Sequence, residues 1–226
     1  MKYSIMYGPS YTVAEVTIPQ GSSVKAEADA RVGMSDTIDI ESKMTGGGFM
    51  KALKSSVLGG ESFFQATYNA VRGEGKVLIA PSVVGDIIGL ELNQQTMLVQ
   101  SGSYLASDLS ITIDTNFAGA KGFFSGEGLF LLKMSGSGTL LLSSFGAIHK
   151  IALGAGQKYI VDTGHIVAFD ASVTYTVKKA AKSLLTSIAS GEGLVSEYTG
   201  PGNIYLQTRN PKGFVSWLTP MLPKSS

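Results

Sequence analysis

The stretch SGEGLFLLKMSGSGTLLLSS, Ser125–Ser144, holds two apolar runs around a Gly-x-Gly pair and opens on Gly-Glu. The same plan recurs in GGESFFQATYNAVRGEGKVLIAP, Gly59–Pro81, and in SGEGLVSEYTGPGNIYLQT, Ser190–Thr208. Glu61, Glu127 and Glu192 hold corresponding places, and the glycine pairs are Gly73/Gly75, Gly136/Gly138 and Gly200/Gly202. Glycine supplies the positive φ that tight turns require, so each stretch reads as two short strands closed into a hairpin.

The recurrence extends backwards. GLELNQQTMLVQSGSYLASDLSITI (Gly89–Ile113) lines up with KIALGAGQKYIVDTGHIVAFDASVTYTV (Lys150–Val177), and more faintly with EVTIPQGSSVKAEADARVGMSDTIDI (Glu15–Ile40). Asp36, Asp108 and Asp170 each precede a segment of alternating apolar and polar residues, the mark of a half-buried strand. A period of about 65 residues is too long for the common solenoids. The predicted architecture is therefore all-β: one domain over residues 1–226, a β-sandwich or clam of three repeated β units with pseudo-threefold symmetry. The units run over about 16–81, 90–144 and 151–208, and an apolar tail covers 212–226. Short helices are expected over Gly46–Leu58 and Val177–Ser190, each just before a Gly-Glu hairpin, while Phe117–Phe124 is too short for more than a turn.

Composition narrows the function classes. Apolar residues, at 44%, are ample for a core, while charged residues, at 15%, fall well below the norm of about 25%. So little charge implies that apolar surface is covered by another copy of the chain, and it excludes disorder. A net charge of +1 without a basic block removes the footprint of a dedicated nucleic-acid binder. With no cysteine, neither disulfides nor thiolate metal sites can form. The opening MKYSIMYGPSYTV lacks the layout of a secretory signal, and no stretch approaches the ~18 apolar residues of an integral membrane segment. A cytoplasmic protein is expected.

Three features bear on chemistry. A ring of Glu61, Glu127 and Glu192 could hold a hard cation, but glutamates that recur together with their turn read as scaffold. His149 and His165 are the two histidines, and they lie near Asp162 and Asp170 in FGAIHKIALGAGQKYIVDTGHIVAFD. Together these four residues are the candidate small-ligand or metal site, although acid–base or metal chemistry needs more groups to converge than two imidazoles. The third feature is NPKGFVSWLTPMLPKSS, where Phe214, Trp217, Leu218 and Met221 recur at helical spacing until Pro220 interrupts. That stripe suits an interaction tail that folds onto the body, onto a sister subunit or onto a membrane surface.

SFGAIHKI, VDTGHIVAFD, SGEGLVSEYTGPGNIYLQTR and GFFSGEGLFL together resemble a bacterial and archaeal family of uncharacterised proteins. That family is related to the mitochondrial "altered inheritance of mitochondria" protein. The resemblance runs from about Tyr11 to Leu222. It implies a β-sandwich grouped with the tryptophan RNA-binding attenuation protein, no established catalytic activity, and mitochondrial relatives involved in inner-membrane organisation; no cofactor is expected. A shared fold does not carry RNA or tryptophan binding with it. The reading is a non-enzymatic scaffold or binding protein that self-associates. The alternatives are a ligand- or metal-binding protein using His149 and His165, and a peripheral membrane organiser using the tail.

Overall fold

The computed structural model describes residues 1–43, 57–58, 61–62, 65–115, 130–179 and 194–223. From the N-terminus come β1 (Lys2–Met6), β2 (Val13–Ile18), β3 (Ser23–Glu27), β4 (Arg31–Met34) and β5 (Ile38–Lys43). Two short strands, β6 (Val57–Leu58) and β7 (Glu61–Ser62), precede β8 (Gln65–Ala70) and β9 (Gly75–Ile79). The middle of the chain forms β10 (Ile87–Gln100), β11 (Tyr104–Asp108), β12 (Thr112–Asp114) and β13 (Leu131–Ser143). Then follow β14 (Ile148–Leu153), β15 (Lys158–Asp162), β16 (Ile166–Asp170), β17 (Thr174–Lys179), β18 (Leu194–Thr199) and β19 (Gly202–Gln207), and helix α1 (Pro211–Leu218).

The protein is all-β, and alternation explains its strands. In β2, Ala14, Val16 and Ile18 are buried while Val13, Glu15 and Thr17 are only half-buried. In β3, Val24 and Ala26 point inward in the same way. The largest sheet runs β14-β19-β16-β10-β13-β11-β3-β8-β5, with β12 also on β13. A four-stranded sheet, β1-β2-β9-β4, covers one end of it, and a three-stranded sheet, β15-β18-β17, lies at the other. Three core clusters result. The first joins Val16, Ile18, Tyr68, Val77 and Leu105, the second Met97, Tyr104, Leu132, Met134 and Leu140, and the third Val161, Phe169, Tyr198 and Ile204. Phe169 meets Tyr175 and Tyr198 edge-on, both at 5.2 Å.

The glycine pairs do not close hairpins, contrary to the sequence reading. β8 pairs with β3 and β5, whereas β9 pairs with β2 and β4. Likewise β18 pairs with β15 and β17, whereas β19 pairs with β14 and β16. In Ser125–Ser144 the two described runs are one continuous strand, β13. The backbone angle explains the difference. Gly73, Gly136, Gly138 and Gly202 have φ of 150°, 138°, 139° and 142°. A hairpin turn would need the left-handed region near about +57°. At the larger angles the chain stays extended but turns its pleat, so β8 gives way to β9, and β18 to β19, in another sheet, while β13 runs on within one. Glycine is also demanded by space, since a Cβ on Gly136 would lie 2.5 Å from the Ser110 carbonyl oxygen.

A turn backs each crossing. The N–H groups of Ile38, Ile111 and Val173 donate to the carbonyls of Ser35, Asp108 and Asp170, three residues back. The side chains of those three turn-opening residues then accept the N–H that follows a glycine. Lys76 donates to Ser35 Oγ at 2.9 Å, and Thr139 and Asn203 donate to Asp108 Oδ2 and Asp170 Oδ2, both at 2.7 Å. Asp36 was expected to match the other two aspartates. It sits one place too late, and its carbonyl instead receives Arg72 Nε at 2.9 Å. Matching by residue type paired aspartate with aspartate, but the geometry needs any short acceptor at the turn's first position, and serine suffices.

The helix expected over Gly46–Leu58 lies outside the described residues except for Val57–Leu58, which form a strand; that expected from Val177 does so except for Val177–Lys179, which extend β17. Phe117–Phe124, Glu127 and Glu192 also lie outside them, while Glu61 faces Leu58 across the β6–β7 pair.

Gly202→Ala would force a Cβ to 2.7 Å from Ser172 Oγ and Val173 Cγ2 at a φ that disfavours side chains. Urea unfolding is expected to register a loss of about 1–3 kcal/mol. Gly156→Ala, with nothing near its Cβ position, isolates the cost of the positive φ alone.

Candidate functional site

The four predicted site residues separate into different settings. His149 is exposed on β14, opposite Leu206. Asp162 is exposed too, and its carboxylate accepts the Gly164 N–H at 3.0 Å, capping the one-turn 3-10 helix Thr163–His165. His165, half-buried, has Nδ1 2.7 Å from the Gln207 carbonyl oxygen. A carbonyl only accepts, so Nδ1 carries the proton and Nε2 is the nitrogen left to meet a ligand. Asp170 holds the turn before β17. Among the described residues no three His, Asp or Glu side chains are grouped as a metal site.

Among the described residues, two regions carry clefts instead. The first lies under α1. Asn210 opens this helix by accepting the N–H groups of Lys212 (2.9 Å) and Gly213 (3.4 Å), and Pro211 at the first turn has no N–H to satisfy. Phe214 meets Phe145 edge-on at 5.5 Å and stacks obliquely on Trp217 at 5.9 Å. A cavity of about 740 Å³ opens there, lined by Phe145, His165, Arg209, Phe214 and Trp217 among others. Along the helix's other flank, Val83, Gln100, Pro211 and Val215 bound a second cavity of about 430 Å³. The predicted helical stripe is real, but it ends at Leu218, and Pro220 falls in a 3-10 turn. Leu218 is half-buried, whereas Trp217 and Met221 are 59% and 62% exposed.

The second cleft, of about 360 Å³, contains Asp170. Leu90, Leu92 and Met97 of β10 give it an apolar wall, and Tyr205 and Asn203 of β19 face them. Asp170 Oδ2 accepts both the N–H and the side-chain amide of Asn203 at 2.7 Å. Burial, with Asp170 alongside, pushes the Tyr205 phenol above its ordinary pKa, so it stays protonated. Glu91 lines the same cleft and accepts the Thr139 hydroxyl at 2.8 Å.

Sequence reasoning named Asp170 and His165 but missed Glu91, Tyr205, Phe145 and Arg209. Glu91 and Tyr205 are more than a hundred positions apart, and no local pattern joins them.

A family model described as "Mitochondrial biogenesis AIM24" matches residues 3–209. An uncharacterised protein of Streptococcus pyogenes serotype M6 is 32% identical over 233 residues, covering all of this chain and 93% of that protein. The crystal structure of a Streptococcus pyogenes protein superposes with a TM-score of 0.81 at 29% identity, covering 98% of this chain and 99% of that one. The chain belongs to the AIM24 family.

Removing the helix cap tests how firmly α1 is held. Asn210→Ala is expected to cost about 1 kcal/mol. Hydrogen exchange should then quicken at the amides of Lys212 and Gly213 while the core strands keep their protection.

Proposed function

We propose that the protein is a non-enzymatic scaffold or binding protein that works as a homo-oligomer, joined head to tail through strands β4 and β15. The reading takes the three turns at Ser35, Asp108 and Asp170 as markers of three copies of one strand-rich unit. Two joints between successive units then form within the chain. β11 pairs with β3 through Ala106↔Ala26, Ser107↔Lys25 and Asp108↔Val24. β16 pairs with β10 through Ala168↔Val99, Phe169↔Leu98 and Asp170↔Met97. The third joint, by the same register, would match Gly33, Met34 and Ser35 with Val161, Ile160 and Tyr159.

Those partners are unclaimed. β4 ends its sheet with β9 as its one neighbour, and β15 ends its sheet with β18 as its one neighbour, among the described residues. The observation that carries the reading is exposure. Leu105 and Val167, inside the two formed joints, are fully buried, while Val32 at the corresponding place is 60% exposed. Ile160, opposite in the missing joint, is 63% exposed. An unpaired edge bearing apolar side chains is a template for another chain. Because the two edges differ, the contact is heterologous, closing into a ring or running on as a filament. The likeness to the tryptophan RNA-binding attenuation protein fold belongs to this reading, as does a cytoplasmic setting.

Sedimentation is the test. The protein should sediment as an assembly, and Val32→Asp or Ile160→Asp should each give folded monomers by circular dichroism. Mixed, the two variants should pair, since each retains the edge that the other has lost. Monomeric wild-type protein at ten micromolar and above would remove the proposal.

A second reading has its own support: α1 and the 3-10 turn that follows it leave Val215, Trp217, Met221 and Leu222 in solvent, each more than half exposed. Such a face suits the surface of a membrane. Co-sedimentation with anionic vesicles should fall several-fold in Trp217→Asp, and an unchanged pellet would dismiss attachment through α1.

A further inference from the structure

The cleft at Asp170 goes beyond the scaffold reading, and the chain itself supplies the clue to its ligand. Asp108, which opens the preceding turn, has a second guest besides the Thr139 N–H. The α-ammonium of Met1 lies 2.9 Å from Asp108 Oδ1 and 3.0 Å from Oδ2. Met1 and Tyr3 pack against the core cluster of Val16, Ile18 and Leu141. Behind them β1 runs antiparallel along β2, with Lys2 opposite Thr17 and Tyr3 opposite Val16. Tyr3 reaches over Gly89, where a Cβ would sit 1.9 Å from its hydroxyl. The first residues of the chain thus fill a groove that ends on a carboxylate.

The groove at Asp170 is built from the same parts. Ile18 stands opposite Gly75 and Leu92 stands opposite Gly138, so Val16 and Ile18 of β2 correspond to Leu90 and Leu92 of β10. Asp170 holds the Asn203 N–H through Oδ2, as Asp108 holds that of Thr139. Two differences matter. Asp170 Oδ1 has no hydrogen-bond donor among the described residues. β10 meets β16 only at Met97–Val99, so no described strand lies along the Ile87–Leu92 edge, where β2 carries β1.

We propose that this cleft binds the free N-terminus of an extended peptide that begins with an apolar residue. Its α-ammonium sits on Asp170 Oδ1, and its first side chain lies against Leu90, Leu92, Met97 and Tyr205. The following residues add a strand along the open edge of β10, as β1 does on β2. Glu91 occupies the register of Thr17, which faces Lys2, so a basic second residue is favoured. Backbone pairing supplies affinity in such strand addition, and the carboxylate and apolar wall supply the choice of end.

The probe is the peptide Met-Lys-Tyr-Ser-Ile-Met, amidated and carrying a dye at its C-terminus, titrated into the full-length protein by fluorescence anisotropy. Acetylating its N-terminus should weaken binding at least tenfold, and Glu91→Lys should weaken it several-fold. Amide NMR shifts should concentrate at Leu90–Met97 and Tyr205. Asp170→Asn should abolish binding, and the acetylated peptide on unaltered protein makes the same comparison without disturbing the turn. Equal binding of the acetylated peptide, no binding at millimolar concentration, or shifts confined to Ile18 and Asp108 would overturn the proposal. So would free L-methionine binding as tightly as the peptide, because the added strand would then contribute nothing. None of these readouts depends on assembly, since the Val32→Asp monomer retains the cleft and should bind equally well.

Discussion

A short side-chain acceptor held beneath a strand's N–H, just past a glycine, organises this molecule. Asp108 under Thr139 and Asp170 under Asn203 are the charged examples, and Ser35 under Lys76 is the neutral one. Each bond ties a turn to a strand where its pleat turns, which at β9 and β19 is where the chain enters another sheet. A carboxylate accepting a backbone N–H makes a stronger bond than a neutral pair would. It also fixes the direction in which the next strand leaves, because the turn's own 3.0–3.2 Å backbone bond closes on the same residue. Without that bond, the extended glycine would have nothing to determine which way its pleat turns.

The same bonds set the surfaces. Bringing Asp108 against Thr139 places its second oxygen at the mouth of a groove, where the chain's own ammonium neutralises it. The corresponding construction at Asp170 leaves a cleft of about 360 Å³ with one oxygen uncommitted among the described residues. The strands that follow the turns carry the sheet onward through β11 on β3 and β16 on β10. They leave β4 and β15 as ends with apolar side chains in solvent. On the proposed reading, a protein of the AIM24 family is an assembling body with a peptide groove rather than a catalyst. Its histidines fit that picture. His165 donates to the Gln207 carbonyl in the wall beneath α1, and His149 stands apart on β14.

Much of the fold was legible because local chemistry writes it directly. Alternation after Asp36, Asp108 and Asp170 marks strands, observed as β5, β12 and β17, and the spacing of Phe214, Trp217 and Leu218 marks a helix, observed as α1. The Gly-x-Gly pairs were legible as special backbone but not as to which kind. Residue type announces positive φ, whereas the value of φ, near +140° rather than in the left-handed turn region, depends on what packs behind it. Asp36 misled for a related reason: the chain advertises an aspartate, but the turn selects a position, and Ser35 holds it.

By itself, then, the amino-acid order determined the class of structure, the places where the backbone bends and the residues with acceptors to offer, because these follow from propensities within a few positions. The tertiary structure alone decided that Asp170, Glu91, Leu92 and Tyr205 share one cleft, that Met1 seals its counterpart, and that β4 and β15 each end a sheet among the described residues. Those are consequences of register between strands far apart in the chain. Register is settled by how the sheets stack and cross, after every local preference has been met.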